Sequence, residues 1–213
     1  MAGMIQAYWD GGMFMHLILL SSIVGLAIAF ERLFVLLVAG NINKDQVLGR
    51  IKNAIYSGNI EKAIAATSQT RTPLTNIIRA GLIAVKNNGD AEEVQTAMDA
   101  VALREVPRLE KRIGLLATVS NIATLLGLLG TVSGLIGAFA AVANVAPAEK
   151  ATMLSNSIAV AMNTTAFGLI VAIPLLGFFG FLNSMAQGIV DDMHESSVAT
   201  LNFLLTNKNK VGR

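Results

Sequence analysis

The stretch Gly127-Leu128-Leu129-Gly130-Thr131-Val132-Ser133-Gly134 lies inside an apolar run from Ile113 to about Ala143. Glycines and hydroxyls therefore stand where a lipid-facing helix would be oily. In hydrocarbon a small residue gains little from burial, but it lets helix backbones approach closely, and a hydroxyl there must find a hydrogen-bond partner. The run is thus constrained to be a membrane helix packed against protein.

Crossing roughly 30 Å of hydrocarbon takes about 20 helical residues. Three segments are long enough: Met13 to Ala39, Ile113 to Ala143, and Ser157 to Ala186. With 54% hydrophobic and 14% charged residues in 213, the chain has too little polar surface for an ordinary soluble domain. No Lys or Arg precedes the first segment, so it lacks the basic start of a cleavable signal and reads as a retained span. The absence of cysteine excludes disulfides, thiolate metal sites and cysteine nucleophiles, and a net charge of +2 gives no reason to expect nucleic acid.

The expected fold is an all-α integral membrane protein with three transmembrane helices and a helical cytoplasmic domain. Its parts run as an outer-face segment 1–12, spans 13–39, 113–143 and 157–186, a cytoplasmic loop 40–112, a periplasmic connection 144–156, and a cytoplasmic tail 187–213. Orientation follows from the retention of Lys and Arg on the cytoplasmic side. Segment 41–112 is rich in them, from Lys44 and Arg50 to Lys111 and Arg112, whereas 1–12 has none and 144–156 only Lys150.

Turn-rich breaks at Gly58-Asn59, Thr72-Pro73 and Asn87-Asn88-Gly89-Asp90 divide the loop into helices over 45–57, 60–68, 75–86 and 91–111. Asp90 is placed to cap the last of these, with Glu92 and Glu93 at its positive end. Pro107 would kink that helix unless the chain restarts there, and the expected result is one long helix rising into the second span.

At 100 degrees per residue, Ser120, Thr124, Gly127, Thr131, Gly134 and Ala138 share one stripe of the second span. Ala161, Thr165, Gly168, Ala172 and Asn183 share one of the third. Ser133, Asn163 and Pro174 fall off these stripes and are expected to meet neighbouring helices. Two readings stand for the stripes. One is tight packing, with each threonine hydroxyl bonded to its own helix carbonyl four residues back. The other is a central partner helix or hydrated path, needed because no further span in the chain covers both faces completely.

Other polar residues read more simply. Glu31 and Arg32 suit an interfacial ion pair anchoring the first span, and Tyr8 and Trp9 an aromatic anchor. His16 has no carboxylate spaced to pair with it on its helix. Asp191, Asp192, His194 and Glu195 lack a metal-ligand spacing and read as a solvated helix face. No nucleotide-binding loop and no grouped nucleophile and base are present, so neither an enzyme nor a cofactor is expected.

Gly127-Leu-Leu-Gly-Thr-Val-Ser-Gly-Leu-Ile-Gly-Ala-Phe139 and Thr164-Thr165-Ala-Phe-Gly-Leu-Ile-Val-Ala-Ile-Pro174 resemble signatures of the MotA, TolQ and ExbB proton-channel family. Phe30-Glu31-Arg32-Leu33 and Leu109-Glu110-Lys111-Arg112 resemble its end of the first span and start of the second. The likeness covers nearly the whole chain in order, and three spans are closer to ExbB and TolQ than to four-span MotA.

The resemblance implies a bacterial inner-membrane stator: a homopentamer around a dimer of single-span ExbD- or TolR-like partners, coupling ion flow to mechanical work. A TonB-like, TolA-like or motility-related protein would be driven. It also implies that Thr131 and Thr165 line the ion path, with Thr124, Ser120 and Asn183 on the same stripes. Gly127, Gly130, Gly134, Gly168 and Pro174 are assigned to helix packing. The sequence departs from the ExbB pattern at Val160, where a glutamate is usual, and at Thr124, where a proline is usual. Proton and sodium both remain open as the ion, and a non-conducting membrane scaffold is the alternative function.

Overall fold

A computed structural model describes residues 8–9, 11–41, 44–69, 72–143 and 145–207. Among them the chain is helical throughout: α1 (Gly12–Gly40), α2 (Lys44–Tyr56), α3 (Ile60–Gln69), α4 (Pro73–Lys86), α5 (Ala91–Glu110), α6 (Ile113–Val142) and α7 (Pro147–Thr206). Three stretches, on α1, α6 and α7, are long and apolar enough to cross a membrane. Residues 1–7 and 10 of the expected outer segment, Asn144 of the connection and 208–213 of the tail lie outside the described residues.

Two helix boundaries stand out. α7 begins at Pro147, inside the expected connection 144–156, and the fixed φ of this proline suits the first turn of a helix. It then runs 60 residues to Thr206, with Pro174 inside it and no break before the tail. The helix expected to rise unbroken into the second span is interrupted at Lys111 and Arg112, whereas Pro107 sits within α5. Arg112 takes a left-handed conformation, φ 65°, which a non-glycine residue adopts only at some cost.

Contacts divide the chain into two units, 1–32 with 112–182, and 33–111 with 183–213. In the second, local chemistry sets several helix ends. Gly58 has φ 71° after α2, and Asn88 has φ 61° after α4, both left-handed helix terminators. Thr72 caps α4 in a reciprocal pair with Thr75, and Pro73 occupies the first turn, so the helix starts two residues before the expected 75. At α5, Glu93 N donates to Asp90 Oδ1 at 2.8 Å, and Asp90 N donates to Glu93 Oε2 at 3.1 Å. The expected cap is present and doubled.

These helices close over Ile51, Ile55, Ile77, Ile78, Leu82, Val94 and Leu204, each almost fully buried. Burying one such side chain from water stabilises by about 1.5–3 kcal/mol, so in this unit hydrophobic burial outweighs any one cap. Glu105 is buried among them, and its Oε1 accepts from Asn76 Nδ2 at 3.0 Å and Arg108 Nη1 at 3.3 Å. Asp90→Ala removes one side of the capping box. It should cost about 1 kcal/mol and raise hydrogen exchange at the Glu93 and Val94 amides, measured in detergent, while leaving α4 unchanged.

Candidate functional site

In the first unit the two stripes face each other. A Cβ placed on Gly168 would lie 2.8 Å from Ala123 O and 3.1 Å from Gly127 Cα; one on Gly127 would lie 3.1 Å from Thr165 Cα and 3.2 Å from Thr164 O. These neighbours are backbone atoms, which cannot rotate aside as a side chain can. Further along, Gly130 receives the Thr164 side chain and Gly134 receives Ala161. Phe14 of α1 also reaches the Gly130 site, and Gly25 of α1 accommodates Leu175 of α7.

Two hydrogen bonds stitch this seam. Ser120 Oγ donates to Ala172 O at 2.8 Å, and Thr165 Oγ1 donates to Gly127 O at 2.9 Å. The packing reading expected own-helix bonds four residues back. Thr124 makes one, to Ser120 O at 3.2 Å; Thr131 reaches only three back, to Leu128 O at 2.7 Å; Thr165 crosses to the other helix. Each stripe largely covers the other, although Thr124, Thr131, Gly134 and Thr165 remain only half-buried.

What remains uncovered is a flank beside the seam. Thr124 and Thr131 are half-buried there, and Asn121, which lies on the same side of α6, is exposed. Asn121 was missed in the sequence, although it carries the same signal as Thr131, a polar residue inside an apolar run. Off the seam, Ser133 is exposed and Asn163 half-buried; Pro174 is exposed, and so is Asn183, which falls in the second unit.

Val160 lines a cavity of about 330 Å³ with Gly134, Gly137, Ala138, Asn156 and Ser157. Neither α6 nor α7 from 151 to 190 contains an ionisable residue. The oxygens available are therefore hydroxyls, amides and carbonyls, which can hold water or a hard cation but do not take up a proton as a carboxylate does.

At the end of this apolar region Arg32 Nη2 donates to Glu31 Oε1 at 2.7 Å, as expected, and Arg112 Nη1 donates to both Glu31 oxygens at 3.1 Å. Arg112 is the partner that the sequence hid, because 81 residues separate it from Glu31. His16 bonds through Nδ1 with Gly12 O at 3.0 Å, and its ring meets Tyr8 at a tilt and Trp9 edge-on. In the tail Asp192 pairs with Lys44.

The seam makes a paired prediction. Gly168→Ala should destabilise the protein by about 1–3 kcal/mol, because its methyl meets backbone. Gly137→Ala, whose Cβ meets nothing within 4 Å, should be neutral to stabilising, by up to about 1 kcal/mol. Thermal unfolding of both variants in one detergent checks the contrast.

The geometry of this seam and its uncharged flank can be set beside known proteins. The chain is 30% identical over 189 residues to a protein from Methanothermobacter thermautotrophicus named a biopolymer transport protein ExbB homolog, an alignment that takes in 88% of this chain and 65% of that one. It thus spans slightly less than two thirds of that relative. The family model described as the MotA/TolQ/ExbB proton channel family matches residues 69–195, which include α4, α5, α6 and the seam. The chain belongs to the MotA/TolQ/ExbB proton channel family.

Proposed function

We propose that this chain is the ion-conducting stator subunit of an ExbB/TolQ-type motor in the bacterial inner membrane, its N-terminus periplasmic and its C-terminus cytoplasmic. Five copies surround a dimer of ExbD- or TolR-like single-span partners, whose membrane carboxylate binds the travelling ion. Membership of a proton-channel family supports the reading. The observation that carries it is the flank holding Asn121, Thr124 and Thr131: polar oxygen atoms beside a rigid seam, in a stretch that lipid would otherwise cover.

Each residue then has a separate task. The glycine seam fixes α6 against α7. Thr131 spends its proton on Leu128 O, so its oxygen lone pairs face outward as acceptors for water or a cation. With Val160, neither of the two seam helices carries an acid in its apolar stretch, so proton uptake there belongs to the partner. Each charge moving through about 100 mV releases roughly 2.3 kcal/mol, and several together supply appreciable work.

One observation favours the scaffold reading: the seam already employs Ser120, Gly127, Gly130, Gly134, Thr165 and Gly168 in packing. Ion flux into proteoliposomes holding this chain and its single-span partner decides between them. The motor reading requires flux that disappears when the partner's membrane Asp is changed to Asn, and imposing proton and sodium gradients in turn names the ion. An assembled wild-type complex that passes neither ion would leave the scaffold.

The threonines refine the test. A single interhelical hydrogen bond in a membrane contributes only about 0.6 kcal/mol, so Thr165→Val should still assemble. It should nevertheless lose energised function, and Thr131→Val should lose flux with its thermal stability unchanged. Full activity in both variants would remove the assigned ion path.

A further inference from the structure

The apolar runs of α1 and α7 do not end against a flat surface. In the second unit a cavity of about 820 Å³ opens beside Leu37, Ala39 and Leu74 on one side and Met185 and Ile189 on the other. That volume lies within the usual range for small-molecule sites. Its walls continue the oily stretches of both helices, while its rim carries Asn41, Lys44 and Asp192. Such a gradient, from hydrocarbon to charge within one cavity, matches a membrane lipid entering with its head at the rim.

The rim also selects among lipids. Lys44 Nζ is 2.6 Å from Asp192 Oδ1 and 3.7 Å from Glu195 Oε2, so one cation faces two carboxylates. The hydrogen bond that Lys44 donates to Asp192 holds the pKa of its ammonium above the usual lysine range, and it stays charged at neutral pH. A lysine ammonium has three donors, which leaves Lys44 able to meet a phosphate without releasing Asp192. The carboxylates in turn suit a primary ammonium, which donates hydrogen bonds. A purely anionic head would meet their net negative charge.

We propose that this cavity binds a phospholipid with a primary-ammonium headgroup, its phosphate on Lys44, its ammonium on Asp192 and Glu195, and the start of one acyl chain between Leu37 and Ile189. The site is independent of whether ions cross the membrane. Gly188 supplies a clean probe, since it lines the cavity and a Cβ there meets nothing within 4 Å. A leucine at that position fills the space without displacing backbone.

Native mass spectrometry of the full chain in detergent, offered dioleoyl phosphatidylethanolamine, phosphatidylglycerol or phosphatidylcholine, tests the site. One phosphatidylethanolamine per chain should be retained, preferred over the other two by about tenfold, the worth of one charge-assisted hydrogen bond. Gly188→Leu should lose that adduct, whereas Gly180→Leu, placed on the same helix away from the cavity, should keep it. Asp192→Asn should bring phosphatidylethanolamine and phosphatidylglycerol to near-equal retention. Equal retention of the three lipids by the wild type, or an undiminished adduct in Gly188→Leu, overturns the proposal.

Discussion

Everything in the membrane part of this protein depends on the approach of two backbones at Gly127 and Gly168. Lipid tails are as apolar as leucine, so no hydrophobic force draws α6 and α7 together; close packing and hydrogen bonds must do so. Close packing needs positions without a side chain, and Ala123 O and Thr164 O already occupy the space where side chains would stand. The crossing bonds of Ser120 and Thr165 then fix the register of one helix on the other.

The water-exposed helices obey a different economy. Isoleucine and leucine fill their core, and reciprocal caps at Thr72 and Asp90 set where helices begin. One chain therefore uses opposite residue types for one purpose, large apolar groups where the solvent is water and the smallest residues where it is lipid. The resulting flank can be polar without being charged, since no carboxylate or ammonium stands in α6 or in α7 between 151 and 190.

Much of this was legible in the sequence. Glycines and hydroxyls inside an oily run exposed the packed helix, and turn residues marked nearly every helix boundary in the loop. What escaped depends on contacts far apart in the chain. Phase alone put Ser120, Thr165 and Gly168 on stripes, but whether those stripes meet each other or another molecule is a question of tertiary geometry. Arg112 as a partner of Glu31 was hidden in the same way. The break at Lys111 was missed because Pro107 looked like the stronger interruption, although α5 continues through it to Glu110 with the loss of one backbone donor.

The Glu31–Arg112 contact bears on how the protein is made. Ribosomes add about 5–20 residues per second, so with 81 residues between them Glu31 joins the chain roughly 4–16 seconds before Arg112 does. During that interval its nearest countercharge is Arg32, the adjacent residue. The second arginine arrives only with the start of α6. The pair is thus a late contact in biogenesis, formed when the second span takes its place beside the first.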